Sequence, residues 1–141
     1  MNKQKVVSMT AKTFMGLSAF SLLYVSIMAF FSPQAVMDLV QVKLGNTDAF
    51  SSIRGVYGGV GLTITVSIIY MLVKDVRKGL AFLCMLWGFY ALSRIITIYA
   101  EGSLGAFGSQ WLKTESLFFV ISLVLLVVYK PQRNGVARNV V

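Results

Sequence analysis

The chain of 141 residues has no histidine, one cysteine, two prolines and five acidic residues. Each shortage removes a class of chemistry. Without histidine there is no His-ligated zinc, no haem with a histidine axial ligand, and no Ser-His or Cys-His nucleophile pair. With Cys84 alone, neither an intramolecular disulfide nor a CxxC motif can form. Cys84 also stands inside an apolar run, where a free cysteine reads as a small buried hydrophobe. Charge is scarce as well: 13% of residues are charged, where about a quarter is ordinary for soluble domains.

Apolar side chains fill the space that charge leaves, at 57% of the chain. One domain of this length has too little interior to hide them, so its solvent must in part be lipid. Four stretches reach the roughly 20 mostly apolar residues that a membrane helix needs. They are residues 13–31, 53–73, 79–100 and 110–129. Lys3, Lys5 and Lys12 precede the first of them, as in a signal peptide. Its apolar run exceeds the usual 7–15 residues or so, and no small-residue cleavage site follows, so it reads as a retained helix. The expected fold is all-α: a single membrane-embedded four-helix bundle.

The charges give the bundle a direction, since Lys and Arg favour the cytoplasmic side. Suppose both termini and the 74–78 loop are cytoplasmic. That side then holds Lys3, Lys5, Lys12, Lys74, Arg77, Lys78, Lys130, Arg133 and Arg138 against Asp75 alone. The other side holds Lys43, Arg54, Arg94 and Lys113 against Asp38, Asp48, Glu101 and Glu115, which cancel. The whole net charge of +8 is therefore topological. It gives no reason to expect nucleic-acid binding, which calls for a basic face on a soluble module. Between the first two spans, Ser32-Pro33 reads as a helix start. Val36, Leu39, Val40 and Leu44 recur at helical spacing, which predicts a short interfacial helix over 33–44. The polar tail 131–141 is expected to be flexible.

Charge inside the spans is the unusual feature. Arg94 in the third span and Glu115 in the fourth fall at similar depth on antiparallel neighbours. An unpaired arginine at a helix centre costs about 2.5–3.5 kcal/mol, so the two are expected to face each other. Arg54 opens the second span in "RGVYGGVG". Helical spacing puts Arg54, Tyr57, Gly58, Gly61 and Thr65 on one stripe, and Trp87, Tyr90, Ala91 and Arg94 on another. Glu115, Phe118, Phe119 and Ser122 form a third. If the stripes converge, the outer half of the bundle holds a polar pocket formed by Arg54, Tyr57, Gly58, Tyr90, Arg94 and Glu115. Gly58 then makes room for a ligand, while Gly55 and Gly59 supply a GxxxG helix-packing face. No metal ligand set, catalytic set or cofactor is expected.

"NTDAFSSIRGVYGG", the arginine of the third span and the "TE" that opens the fourth together resemble a bacterial family, domain of unknown function 4345. The resemblance runs from about Phe14 to Tyr129. It implies a four-span inner-membrane protein, distantly similar to DoxX-type proteins, and implies no activity. DoxX is tied to quinone-linked sulfur oxidation, and no redox residue here carries that over.

The reading that follows is a non-enzymatic protein of the bacterial inner (plasma) membrane. Surrounded by membrane lipids, it binds a small amphiphile, a lipid or a partner helix in the outer-half pocket. The alternatives are a small transporter acting as a dimer, or a quinone-linked or accessory subunit docked on a partner membrane protein. Cysteines introduced at Gly45 and Gly105 are expected to react with an impermeant thiol reagent added outside the cell. Labelling of a cysteine at Lys78 instead, with those two protected, reverses the orientation.

Overall fold

A computed structural model describes residues 3–131, and the predicted flexible tail beyond Pro131 lies outside them. Every regular element is helical among these residues. The order is α1 (Lys3–Phe31), α2 (Pro33–Asp38), α3 (Thr47–Ile53), a π-helical segment (Arg54–Val60), α4 (Gly61–Lys74), α5 (Val76–Glu101) and α6 (Ala106–Val128). Segment α3, the π segment and α4 run on without a break, so four helices are long and apolar enough to cross a membrane. This is a multi-pass membrane fold. Each span begins before its predicted limit, because the helix continues into residues that flank the apolar stretch.

Local chemistry sets the ends. α1 stops before Pro33, which disfavours helical geometry in the residue ahead of it. Asn46 caps α3 by accepting from the Ala49 backbone N–H at 2.8 Å. Asp75 separates α4 from α5 and accepts from the Lys78 N–H at 3.1 Å. Gly102 ends α5 with φ at 104°, a conformation that suits glycine.

The predicted interfacial helix over 33–44 is cut to one and a half turns, ending at Asp38. The Gln34 side chain explains why. Its Nε2 donates to Asp38 Oδ1 and to the Val42 carbonyl, and its Oε1 accepts from the Leu44 N–H at 2.9 Å. One amide thus replaces several backbone partners and folds residues 42–44 back, through Gln41 at φ 59°. Asp38 also binds Lys43 at 2.9 Å. Those two hydrogen-bonded partners hold the Asp38 carboxyl below its ordinary range, the Lys43 bond first. Val36 and Met37 tuck beneath against Ala29, Leu44 and Ile53.

In the bundle, α1 packs along the π segment and α4, and α5 packs along α6; α1 also touches α5 and α6. The core is a column of Met15, Ala19, Ile68, Leu80, Leu83 and Trp87. Outward-facing side chains are as apolar as the core: Phe20, Tyr24, Phe89 and Val127 are all exposed. A helix apolar all round belongs in lipid. Hydroxyls inside the spans bond back along their own helices, as Ser26 does to the Leu22 carbonyl and Thr65 to that of Gly61.

The glycines divide differently from expectation. A Cβ on Gly61 would collide with Ser26 Oγ of α1, and one on Gly58 would press on the Phe30 ring at 3.1 Å. A Cβ on Gly55 or Gly59 would meet nothing within 4 Å. The α1 contact is therefore built on Gly58 and Gly61, and the GxxxG face is open among the described residues. Gly61→Leu is expected to cost about 1–3 kcal/mol through overpacking. Gly55→Leu and Gly59→Leu, in contrast, should shift monomer stability by no more than about 0.5 kcal/mol. Thermal unfolding of the three variants in one detergent reads this out, and equal losses in all three would contradict the packing described.

Candidate functional site

Arg94 projects from α5 and Glu115 from α6. Helix α5 ends seven residues beyond Arg94, at Glu101, and α6 starts nine residues before Glu115, at Ala106. At 1.5 Å per residue these are depths of roughly 10 Å and 13 Å below the helix ends. The long arginine side chain spans the small difference. Its Nε donates to Glu115 Oε2 at 2.8 Å, and its Nη2 donates to Oε1 at 2.9 Å. This is a two-pronged pair, the strongest form of the contact. The Glu115 side chain is 3% exposed and that of Arg94 is 24% exposed. The carboxylate is therefore sealed in the protein, while the Arg94 side chain keeps partial exposure.

Aromatic residues carry the pair inward. Tyr90, one turn below Arg94 on α5, lies within electrostatic reach of Tyr57, Glu115 and Arg94. Its ring tilts against that of Trp87 with centroids 6.1 Å apart. Trp87 meets Phe118 edge-on at 5.1 Å, and Phe118 meets Phe14 at 5.5 Å. This chain of ring contacts links α5, α6 and α1.

Of the six predicted site residues, four come together: Arg94 and Glu115 directly, Tyr90 beside them, and Tyr57 close to Tyr90. The other two turn away. Arg54 Nε donates to the Phe30 carbonyl at 3.0 Å, and Gly58 is buried against the Phe30 ring. The pocket drawn from three converging stripes is thus corrected. Arg54, Gly58 and Gly61 do share a stripe, but it faces α1 rather than α5. The cause is close packing: residues without side chains let α1 approach, and the freed Phe30 carbonyl near the end of α1 needs a donor. The remaining site is an open locus in the half away from the termini. A separate apolar groove of about 510 Å³ is lined by Cys84, Gly88, Leu92, Ser116 and Phe119.

Burial singles out two polar groups. Ser18 Oγ and Trp87 Nε1 are buried and have no hydrogen-bond partner among the described residues. Ser18 is one of several serines in the first span, and sequence does not separate it from those that bond back to their own helix. Among the described residues, no group of three or more His, Cys, Asp or Glu side chains is arranged to hold a metal.

A multi-pass four-helix membrane protein with a buried Arg–Glu pair in the half away from its termini is the class that fold and site define. Within that class, the chain belongs to the family described as domain of unknown function (DUF4345), which it matches over residues 10–126. No curated protein and no solved structure matches it.

Removing one member of the pair leaves the other charge buried alone. Arg94→Ala and Glu115→Ala are each expected to cost about 3–5 kcal/mol, and the double replacement less than the sum. Arg94→Lys should restore only part, because a lysine has no planar fork. Folded yield and thermal midpoint in mild detergent measure this; strictly additive losses would mean that the two residues do not interact.

Proposed function

We propose that this protein is a non-enzymatic component of the bacterial inner membrane that binds a small anionic amphiphile at Arg94. The observation that carries the reading is that the Arg94 side chain, although locked by Glu115, is still 24% exposed. A fixed guanidinium suits a carboxylate or phosphate, because little freedom remains to be lost on binding. Tyr57 and Tyr90, both 41% exposed, offer hydroxyls beside it, and the flanking helix faces offer apolar surface for a tail.

Two alternatives receive less support. A proton-coupled transporter wants a carboxylate that can change its charge. Both carboxylate oxygens of Glu115 are already engaged by Arg94, which leaves neither free to exchange a proton with a substrate. An acid–base enzyme meets the same objection. The partner-helix reading has an observation of its own, the open Gly55/Gly59 face, which suits a second copy of the chain or another membrane protein.

Native mass spectrometry of the gently extracted protein tests the reading. Wild type is expected to carry a small-molecule adduct. The Tyr57→Phe/Tyr90→Phe double variant keeps its fold and is expected to lose occupancy by on the order of tenfold, at about 1 kcal/mol for each hydrogen bond removed. Unliganded wild type, together with disulfide-linked dimers from Gly59→Cys, would transfer support to the partner-helix reading.

A further inference from the structure

The opposite end of the bundle holds a second site. The starts of α1 and α5, the α4–α5 turn and the end of α6 enclose a cavity of about 500 Å³. The backbone N–H of Lys130 donates to Gln4 Oε1 at 3.3 Å, which joins the two terminal regions and closes one wall. Lys12, Lys74, Arg77 and Lys130 line this cavity, with Ser8 and Tyr129 between them. They come from three separate stretches of chain, so the fold gathers them.

Asp75 is the only acidic residue lining the cavity. Its carboxyl is committed elsewhere. It accepts from the Lys78 N–H at 3.1 Å and lies 3.5 Å from Lys78 Nζ. These contacts, the backbone bond first, hold it below the usual carboxylate range, so it stays ionised and engaged with Lys78. No ion pair neutralises Lys12, Lys74, Arg77 or Lys130 among the described residues. Four like charges around one cavity repel each other, and an anion inside removes that repulsion.

Depth and lining indicate which anion. The cavity sits where the spans leave the apolar region, with Val73 and buried Val76 in its wall. A soluble anion has no use for those groups. A lipid phosphate positioned at the headgroup level, with its chains running down the outside of α4 or α6, uses both. Basic pockets between membrane helices at this level favour anionic headgroups. We propose that this cavity is a specific site for the phosphate headgroup of an anionic phospholipid. It is independent of the outer-half site and lies at the other end of the molecule.

The test adds dioleoyl phosphatidylglycerol, dioleoyl phosphatidylcholine or inorganic phosphate to delipidated full-length protein. Native mass spectrometry counts bound molecules, and thermal midpoint follows stabilisation. Phosphatidylglycerol is expected to bind in a one-to-one step that phosphatidylcholine does not reproduce. Lys12→Gln/Arg77→Gln should weaken that step by roughly thirtyfold, since each basic residue near an anionic surface contributes about 1 kcal/mol. Lys3→Gln/Lys5→Gln removes as much charge from the same end without touching the cavity, and at physiological salt, where exposed charges are screened, should leave the step within about twofold. Equal losses in the two double variants would overturn the site in favour of diffuse attraction. Equal binding of the two lipids in wild type would overturn it whether or not the variants fold. Stabilisation by inorganic phosphate matching that by phosphatidylglycerol would overturn the lipid as occupant.

Discussion

In hydrocarbon a polar group has no water to bond to, and this constraint orders the whole molecule. The backbone answers it with long unbroken helices. Ser26, Thr65 and Ser122 answer it by bonding to carbonyls of their own helices. Gln34 answers it at the outer surface by standing in for missing backbone partners across a ten-residue span. Arg94 and Glu115 carry full charges and cannot use their own helices, so they must use each other. That requirement fixes the register of α5 against α6, because a shift of one residue on either helix would turn one charge toward lipid. The pair therefore specifies an arrangement as much as it stabilises one.

The second pairing, α1 with the segment from Arg54 onward, is solved by different means. No charge pair spans it. Gly58 and Gly61 remove side chains where Phe30 and Ser26 approach, and Arg54 reaches the Phe30 carbonyl. The π-helical stretch Arg54–Val60 lies in the same place. Its wider turn allows Arg54 and Gly58 to address Phe30 together, one through the carbonyl and one through the ring. π segments are rare and concentrate at sites where a regular helix would misdirect side chains. Here Arg54 and Gly58 both meet α1 within that stretch.

This distinction also marks how far the sequence could be read. The Arg94–Glu115 pair was legible because two charges at matching depth on adjacent antiparallel helices have few other options. The membrane class and four spans were legible from apolar length. The direction of the Arg54 stripe was not, because periodicity states which residues share a face and is silent about which neighbour that face meets. GxxxG misled for a related reason: the motif makes a close approach feasible but does not supply the partner, and Gly55 and Gly59 have none within the chain. Val36, Leu39, Val40 and Leu44 suggested a longer interfacial helix because their spacing is helical. A single Gln34 side chain, competing for the same backbone groups, outweighed that pattern. Phe30, which organises Arg54 and Gly58 alike, gave no signal, since one phenylalanine in an apolar run looks like any other.

The two ends of the bundle differ in what they must obtain from outside. At the end away from the termini, basic and acidic residues are equal in number, and Arg94–Glu115 and Lys43–Asp38 are already matched. Long-range attraction there is weak, so a ligand would have to be selected by geometry: a fixed guanidinium and two phenols. At the termini end, the one carboxylate among many cations is committed to Lys78 and to the cap of α5. Internal pairing cannot neutralise that end, whatever the side chains do. The same basic excess that sets orientation in a membrane thus leaves an electrostatic demand that only external anions can meet. A cavity gathered at that point from three parts of the chain turns a general attraction into a defined position, and this is the step that separates a site from a charged surface.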